Sequence, residues 1–402
     1  MGNKLIENEK IKEILKNYKI LWALKHAESL EYWDLETYIP KEGVEARGES
    51  ISKLESIYQE IFLKEKFKDL IKDADKIKDL NNYEKAILRI LKRNLKYYEK
   101  LPPEFIEEFT KLVNDSVVIW REAKNKNNFK LFEPNLKKIV EMSRKKAEYL
   151  GYKNSPYDAL LDEFEENLTS KEVEKYFESI KEPIINLAKK IRESKNFIEK
   201  HNLEEEEYDI EKMKKFNIKL LEYLYGELND LRLDISSHPF TINLGKGDTR
   251  ITTRYEGKDF SRTYCSVIHE YGHALYDLQS DSNLLYTPIE GGSSLVIHES
   301  QSRFWENFIG RSKEFFSGIR EEISQFYPEI KNYNLEEIHK YLNLVKPSLI
   351  RTEADEVTYH LHVLIRFEIE KDLIEGKIEV KDLPKIWNQK YKEYSPEVES
   401  SS

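Results

Sequence analysis

The sequence predicts a mainly α-helical protein with one small β-hairpin near residues 240–255, and three observations carry that prediction. Charged residues make up 35% of the 402, while glycine (14) and proline (12) are scarce, a composition that favours helices. Apolar residues recur at helical spacing nearly throughout residues 4–235. One stretch alone, around residues 240–255, carries a convincing strand signal. The length prior suggests two or three domains, yet a helical chain of this size can also form one continuous body. We read one helical domain over 1–402, with an N-terminal helical half of about 1–235 and a second half of about 236–394.

Taken in order, the helices of the first half are punctuated at Tyr38-Ile39-Pro40, Leu101-Pro102-Pro103, Gly151 to Pro156 and His201 to Glu207, where Pro, Gly or charge runs end the pattern. The acidic run Glu204 to Glu207 reads as a solvated loop or helix end. Thr169 or Ser170, with acids three or four residues on, marks a capped helix start. Phe240 to Leu244 and Thr249 to Tyr255 flank the turn Gly245-Lys246-Gly247-Asp248 and form the hairpin. Ser261 to Gln279 is one helix, with Val267, Ile268, Tyr271, Ala274, Leu275 and Leu278 on its apolar side. Ser294 to Ile309 is a second, packed by Leu295, Phe304, Trp305 and Phe308.

Composition also excludes. The net charge is −10 and basic residues are dispersed among acids, so there is no electrostatic footprint for nucleic acid. No apolar run reaches membrane-spanning length, and the charged N-terminus lacks an apolar signal core. A single cysteine rules out an internal disulfide framework and suits a cytoplasmic location.

Chemistry enters at His269-Glu270-Tyr271-Gly272-His273. Two imidazoles four residues apart on a helix share a face and can hold one zinc-like ion, and Glu270 between them is a candidate general base. The competing reading is two ordinary buried histidines bonded to carbonyls, with Glu270 in a structural ion pair. An open catalytic site needs a third protein ligand. Glu290 precedes Gly291-Gly292 and reads as a turn residue, so Glu299, on the second helix and 26 residues after His273, is preferred. Cys265, four residues before His269, reads as a small buried side chain before it reads as a ligand. A peptidase specific for chain ends also needs a cation for the terminal carboxylate, for which Arg250, Arg254 and Arg351 are candidates; Arg351 and Asp355, four apart, could equally be a helix-surface pair.

These motifs resemble, in order, those of the carboxypeptidase Taq family of metallocarboxypeptidases. The resemblance is carried by His238-Pro239-Phe240, Asp248-Thr249-Arg250-Ile251-Thr252, His269 to His273, His298-Glu299-Ser300-Gln301 and Ile350-Arg351-Thr352-Glu353-Ala354-Asp355, with weaker matches at Trp33 to Pro40 and Pro156 to Glu163. It implies a large helical bundle split by a deep active-site cleft, similar to neurolysin-like peptidases, and a homodimer. It implies His269, His273 and Glu299 as ligands of one divalent ion per chain, zinc or cobalt, and Glu270 as base. Arg250 and Arg351 are implied near the substrate carboxylate, and His238 and Asp248 along the cleft. His298 is implied either to bond substrate or to orient Glu299.

The function this implies is a cytoplasmic, metal-dependent carboxypeptidase that removes C-terminal residues from peptides with broad preference. An oligopeptidase-type endopeptidase and a non-catalytic metal- or peptide-binding module are the alternatives. The family pattern continues with Gln-Asp-x-His-Trp and Gly-Tyr-Phe-Pro-Thr-Tyr segments that these residues do not carry, so the C-terminus is expected to be short of the family's. The tyrosine that would stabilise the oxyanion, a donor worth about 3 kcal/mol, is then absent; Tyr359, Tyr391 and Tyr394 are possible substitutes, with packing as the default for each.

Overall fold

The computed structural model describes residues 5–292, 294–346, 348–351 and 354–394; Thr352 and Glu353 of the last motif and the Glu-Ser tail lie outside them. The described residues form fifteen α-helices and a small three-stranded sheet. Packing groups them into two units that interleave along the chain, whereas the sequence reading divides it once near residue 235. The first unit is Met1–Gly151, Asn229–Ile251 and Ala274–Ser294; the second is Tyr152–Leu228, Thr252–His273 and Leu295–Ser402. Helical periodicity shows which residues turn inward but not which helix they turn toward, so the interleaving leaves no trace in the pattern.

The first unit is built on α1 (Glu9–Thr37), α2 (Val44–Phe62), α3 (Glu65–Ala74), α4 (Asn82–Lys100), α5 (Pro103–Asn125) and α6 (Phe129–Leu150). Ile11, Ile14 and Leu21 of α1 are buried in one core with Tyr58 and Phe62 of α2, Ile71 of α3 and Ile87 and Leu91 of α4. Each such side chain stabilises the fold by about 1.5–3 kcal/mol. The expected breaks fall where Pro40, Pro102 and Pro156 stand. Asn81 and Glu84 close a reciprocal cap on α4, and the buried Glu84 also accepts from the backbone of Glu7 and Asn8 at 2.8 and 2.7 Å, tying the start of the chain to that helix.

The second unit continues with α7 (Pro156–Phe164), α8 (Ser170–Arg192) and α9 (Ile210–Tyr225). Thr169 caps α8 with Glu172 as its partner. Next along the chain comes the sheet, β1 (Leu231–Ile235), β2 (Thr241–Asn243) and β3 (Thr249–Thr253), in the spatial order β1-β3-β2, its residues up to Ile251 belonging to the first unit. β2 and β3 are the hairpin read from sequence, antiparallel, with Thr241 opposite Ile251 and Asn243 opposite Thr249. Gly245 and Gly247 take φ of +99° and +84° in its turn, which only glycine adopts without strain. β1 corrects the reading of residues 4–235 as helical nearly throughout: Leu231, Leu233 and Ile235 alternate with Arg232 and Asp234, a period of two. Asp234 is nevertheless buried, because Tyr38 Oη and Arg232 Nη2 donate to it at 2.6 and 2.9 Å.

The remaining helices are α10 (Phe260–Leu278), α11 (Leu295–Arg303), α12 (Lys313–Phe326), α13 (Leu335–Leu342), α14 (Tyr359–Ile374) and α15 (Leu383–Tyr394). The start of α10 is anchored by buried Asp259, which accepts from Tyr341 Oη and Ser261 Oγ, each at 2.6 Å. Val267, Ile268, Tyr271 and Ala274 are buried along the helix, as its pattern predicts.

The second predicted helix differs in two ways. It runs as α11 and then changes to a π-helical turn over Phe304–Gly310. Its inward face is also not the apolar one: Leu295, Phe304 and Phe308 are exposed, while Ser302, Glu306 and Gly310 are buried. The reason is a close backbone approach to α10, described next, which small and polar residues permit.

Candidate metal centre

α10 carries His269, Glu270 and His273, and α11 brings Glu299 to them. Glu299 Oε2 lies 3.7 Å from His269 Nε2 and 3.1 Å from His273 Nε2. One ligand atom from each of the three residues lies within 4.8 Å of the others. Tetrahedral zinc with bonds near 2.1 Å sets its ligands roughly 3.4 Å apart. The two carboxylate separations bracket that value, so the donor set fits a zinc-like ion.

Gly272 sets this spacing. A Cβ at that position would stand 2.7 Å from Ser302 Cα and 2.8 Å from the Gln301 carbonyl oxygen, both backbone atoms of α11. Any side chain would push α11 away and draw Glu299 from the histidines. The glycine inside the motif is thus a packing device that brings the third donor within reach.

The outer ring nitrogens are also engaged. His269 Nδ1 is 2.9 Å from Glu306 Oε2, and Glu306 is held by Arg311 Nη2 at 2.9 Å and Arg303 Nη1 at 3.2 Å. His273 Nδ1 is 2.6 Å from His298 Nδ1, so His298 contacts a motif histidine, where the resemblance implies a bond to substrate or the orienting of Glu299. Burial acts to raise the Glu306 carboxyl, but the hydrogen bond to His269 and the charge of Arg311 outweigh it and hold the group well below the ordinary carboxylate range. For His269 burial acts to lower the imidazole, and Glu306 outweighs it, so the ring keeps its proton to higher pH than usual. Glu299 falls below the ordinary range, its own burial outweighed by the two histidines. A metal held at His269 would therefore compete with a proton there.

The remaining candidates fall into two groups. Glu270 is buried in the second unit. Arg351 is there too, donating from Nη1 to Tyr359 Oη at 2.9 Å, with Arg303 over the same ring at 4.2 Å. Asp355 does not serve Arg351 as sequence spacing allowed; it is buried and accepts the backbone N–H of Val357 and Thr358, each at 2.9 Å. His238, Asp248 and Arg250 belong to the first unit. There Arg250 forks onto Asp248 with two bonds of 2.7 Å and lies 4.4 Å over the Trp33 ring, while the His238 carbonyl accepts from Ser236 Oγ at 2.6 Å. Arg254 pairs with Glu256 at 2.5 Å.

Several alternatives resolve as structural. Glu290 accepts from Trp22 Nε1 and Tyr286 N at 3.1 and 3.0 Å, a turn role. Burial pushes the Cys265 thiol up to about 12, so it packs as an apolar group. Tyr391 bonds His362 Nδ1 at 2.5 Å and Tyr394 bonds Glu368 at 2.7 Å. Glu306 and Arg303 were not singled out in the sequence; the available signal was a second acid two helical turns beyond Glu299 on the same helix.

Two imidazole nitrogens and a carboxylate close enough to share one metal ion, with a buried glutamate between the two histidines in sequence, are the arrangement expected of a metal-dependent hydrolase. The carboxypeptidase Taq (M32) metallopeptidase family matches residues 10–397. The chain is similar to thermostable carboxypeptidase 1 of Pyrococcus furiosus, 46% identical over 385 residues that cover 96% of this chain and 77% of that protein. It is 38% identical to carboxypeptidase 1 of Bacillus subtilis over 390 residues, covering 95% and 77%. The solved apo-Mg structure of Pyrococcus furiosus carboxypeptidase superposes with a TM-score of 0.92 at 45% identity, covering 97% of this chain and 79% of that one. The chain belongs to the carboxypeptidase Taq (M32) metallopeptidase family and is a metal-dependent carboxypeptidase, hydrolysing peptide bonds. No helix among the described residues is long and apolar enough to cross a membrane.

Proposed function

We propose that the protein removes C-terminal residues from peptides with broad side-chain preference, using one zinc or cobalt ion held by His269 Nε2, His273 Nε2 and Glu299. The convergence of these three donors at zinc-like separations is the observation that carries it. A bound ion supplies Lewis acidity, acidifying a water and polarising the scissile carbonyl. Glu270, next to His269 in sequence and buried, would take a proton from the attacking water and return it to the departing amine.

Arg351 reads the terminal carboxylate. Its planar fork suits a carboxylate bidentately, and its contact with Tyr359 holds it in the same unit as the three donors. Arg250, His238 and Asp248 contribute to substrate binding through the family resemblance; the Asp248 fork leaves Arg250 held in place as a fixed cation. His298, at 2.6 Å from His273, orients that ring as well as lining the substrate path. A homodimer and a cytoplasmic location complete the proposal; the first rests on the family resemblance, and a lone buried thiol supports the second.

Replacing Arg351 with methionine tests the chain-end reader. Removing one partner of a desolvated charge pair costs about 2–5 kcal/mol, so kcat/KM on peptides with a free C-terminus should fall roughly 30-fold or more. C-terminally amidated peptides should lose far less. Equal losses on both would dismiss the carboxylate role.

A further inference from the structure

The geometry points to Glu306 as the positioning residue of the metal centre: it accepts a hydrogen bond from His269 Nδ1–H, fixes that ring's tautomer and aims Nε2 at the ion. The inference rests on His269, His273 and Glu299 being the ligand set proposed above. A neutral imidazole has one donor and one acceptor nitrogen, so whatever occupies the outer nitrogen decides which one faces the metal. An ionised carboxylate can only accept. At 2.9 Å from Nδ1, Glu306 therefore places the proton on Nδ1 and the lone pair on Nε2, the nitrogen that faces Glu299.

Two features mark Glu306 as built for this. It is buried, and its charge is met from the other side by Arg303 and Arg311, bonded to different oxygens at 3.2 and 2.9 Å. Two arginines keep the carboxylate ionised and fix its rotamer, so it is rigid where rigidity sets a ligand's angle. It also stands in the π-helical turn Phe304–Gly310, a local widening of the helix common at functional sites.

Arg303 extends the arrangement. The same guanidinium that holds Glu306 lies 4.2 Å over the Tyr359 ring, whose hydroxyl accepts from Arg351. One continuous set of contacts thus runs from His269 through Glu306, Arg303 and Tyr359 to the proposed carboxylate reader. The metal ligand and the substrate anchor share a support.

Glu306→Gln keeps shape and size but leaves an amide able to present either end. Zinc affinity of the full chain, stripped and then titrated with Zn(II) against a competing chelator at pH 8, should fall about 10- to 100-fold. The visible spectrum of the Co(II) form should change in position or intensity, a change that loss of the Arg303 and Arg311 ion pairs alone would not produce. Wild-type zinc affinity and an unchanged Co(II) spectrum in the variant would overturn the inference. So would a zinc loss with an unchanged Co(II) spectrum, which is what a merely structural role produces. A wild-type chain that binds no zinc would overturn the ligand set itself, separately from Glu306. Where the variant fails to fold, ¹⁵N-histidine NMR of zinc-loaded wild type decides: His269 should be protonated at Nδ1 and metal-bound at Nε2, and the reverse tautomer would sink the proposal.

Discussion

Glu270→Gln should retain its metal and lose peptide hydrolysis by roughly 10²- to 10⁴-fold in kcat, the range of a positioned general base. The amide is isosteric with the carboxylate but cannot accept the proton of an attacking water. Glu270 is buried, so bulk solvent is poorly placed to replace it. It is not one of the three residues grouped as donors, so zinc stoichiometry and affinity should change little, and KM should change less than kcat. Steady-state kinetics read from the released C-terminal amino acid, paired with metal analysis of the same preparation, give both quantities. Intact turnover with metal bound would remove Glu270 from the base role.

Glu299→Ala should have the larger effect on the metal itself. It deletes one of the three proposed donors, and the loss of affinity should exceed the 10- to 100-fold typical of an outer partner. Activity should disappear with the metal and return only partly at high zinc. The metal-free fold should survive, because Glu299 is partly exposed and its lowered carboxyl depends on the two histidines and not on core packing. Titration calorimetry with zinc, alongside circular dichroism of the stripped variant, separates metal loss from unfolding. Near-normal zinc binding in this variant would point to a different third ligand.

How much of this could be read from residues alone depended on range. His269 and His273 stand four residues apart on one helix, so their common face follows from helix geometry. Glu299 followed from chain length and the need for a third ligand. The hairpin around Gly245 and Gly247 was equally local. What the residues alone do not show depends on packing or on short, weak patterns. Leu295, Phe304 and Phe308 gave a helical apolar pattern yet point to solvent, because Gly272 brings the polar side of α11 against α10. β1 was lost in a long helical stretch, since an alternating five-residue run is a weak signal beside it. Glu306 could not be assigned because its part depends on a π-helical turn and on which nitrogen of His269 faces outward. Arg351 rested on family resemblance, and only the fold puts it beside Tyr359 and Arg303.

The most direct test is a degradation ladder read by mass spectrometry on an unstructured peptide, with the same peptide amidated at its C-terminus, in stripped and in zinc- or cobalt-restored protein. Single residues should leave in order from the free C-terminus, only with metal present, and the amidated peptide should be largely spared. Internal cleavage of end-blocked peptides, or stoichiometric metal with no residue released, would contradict a metal-dependent carboxypeptidase.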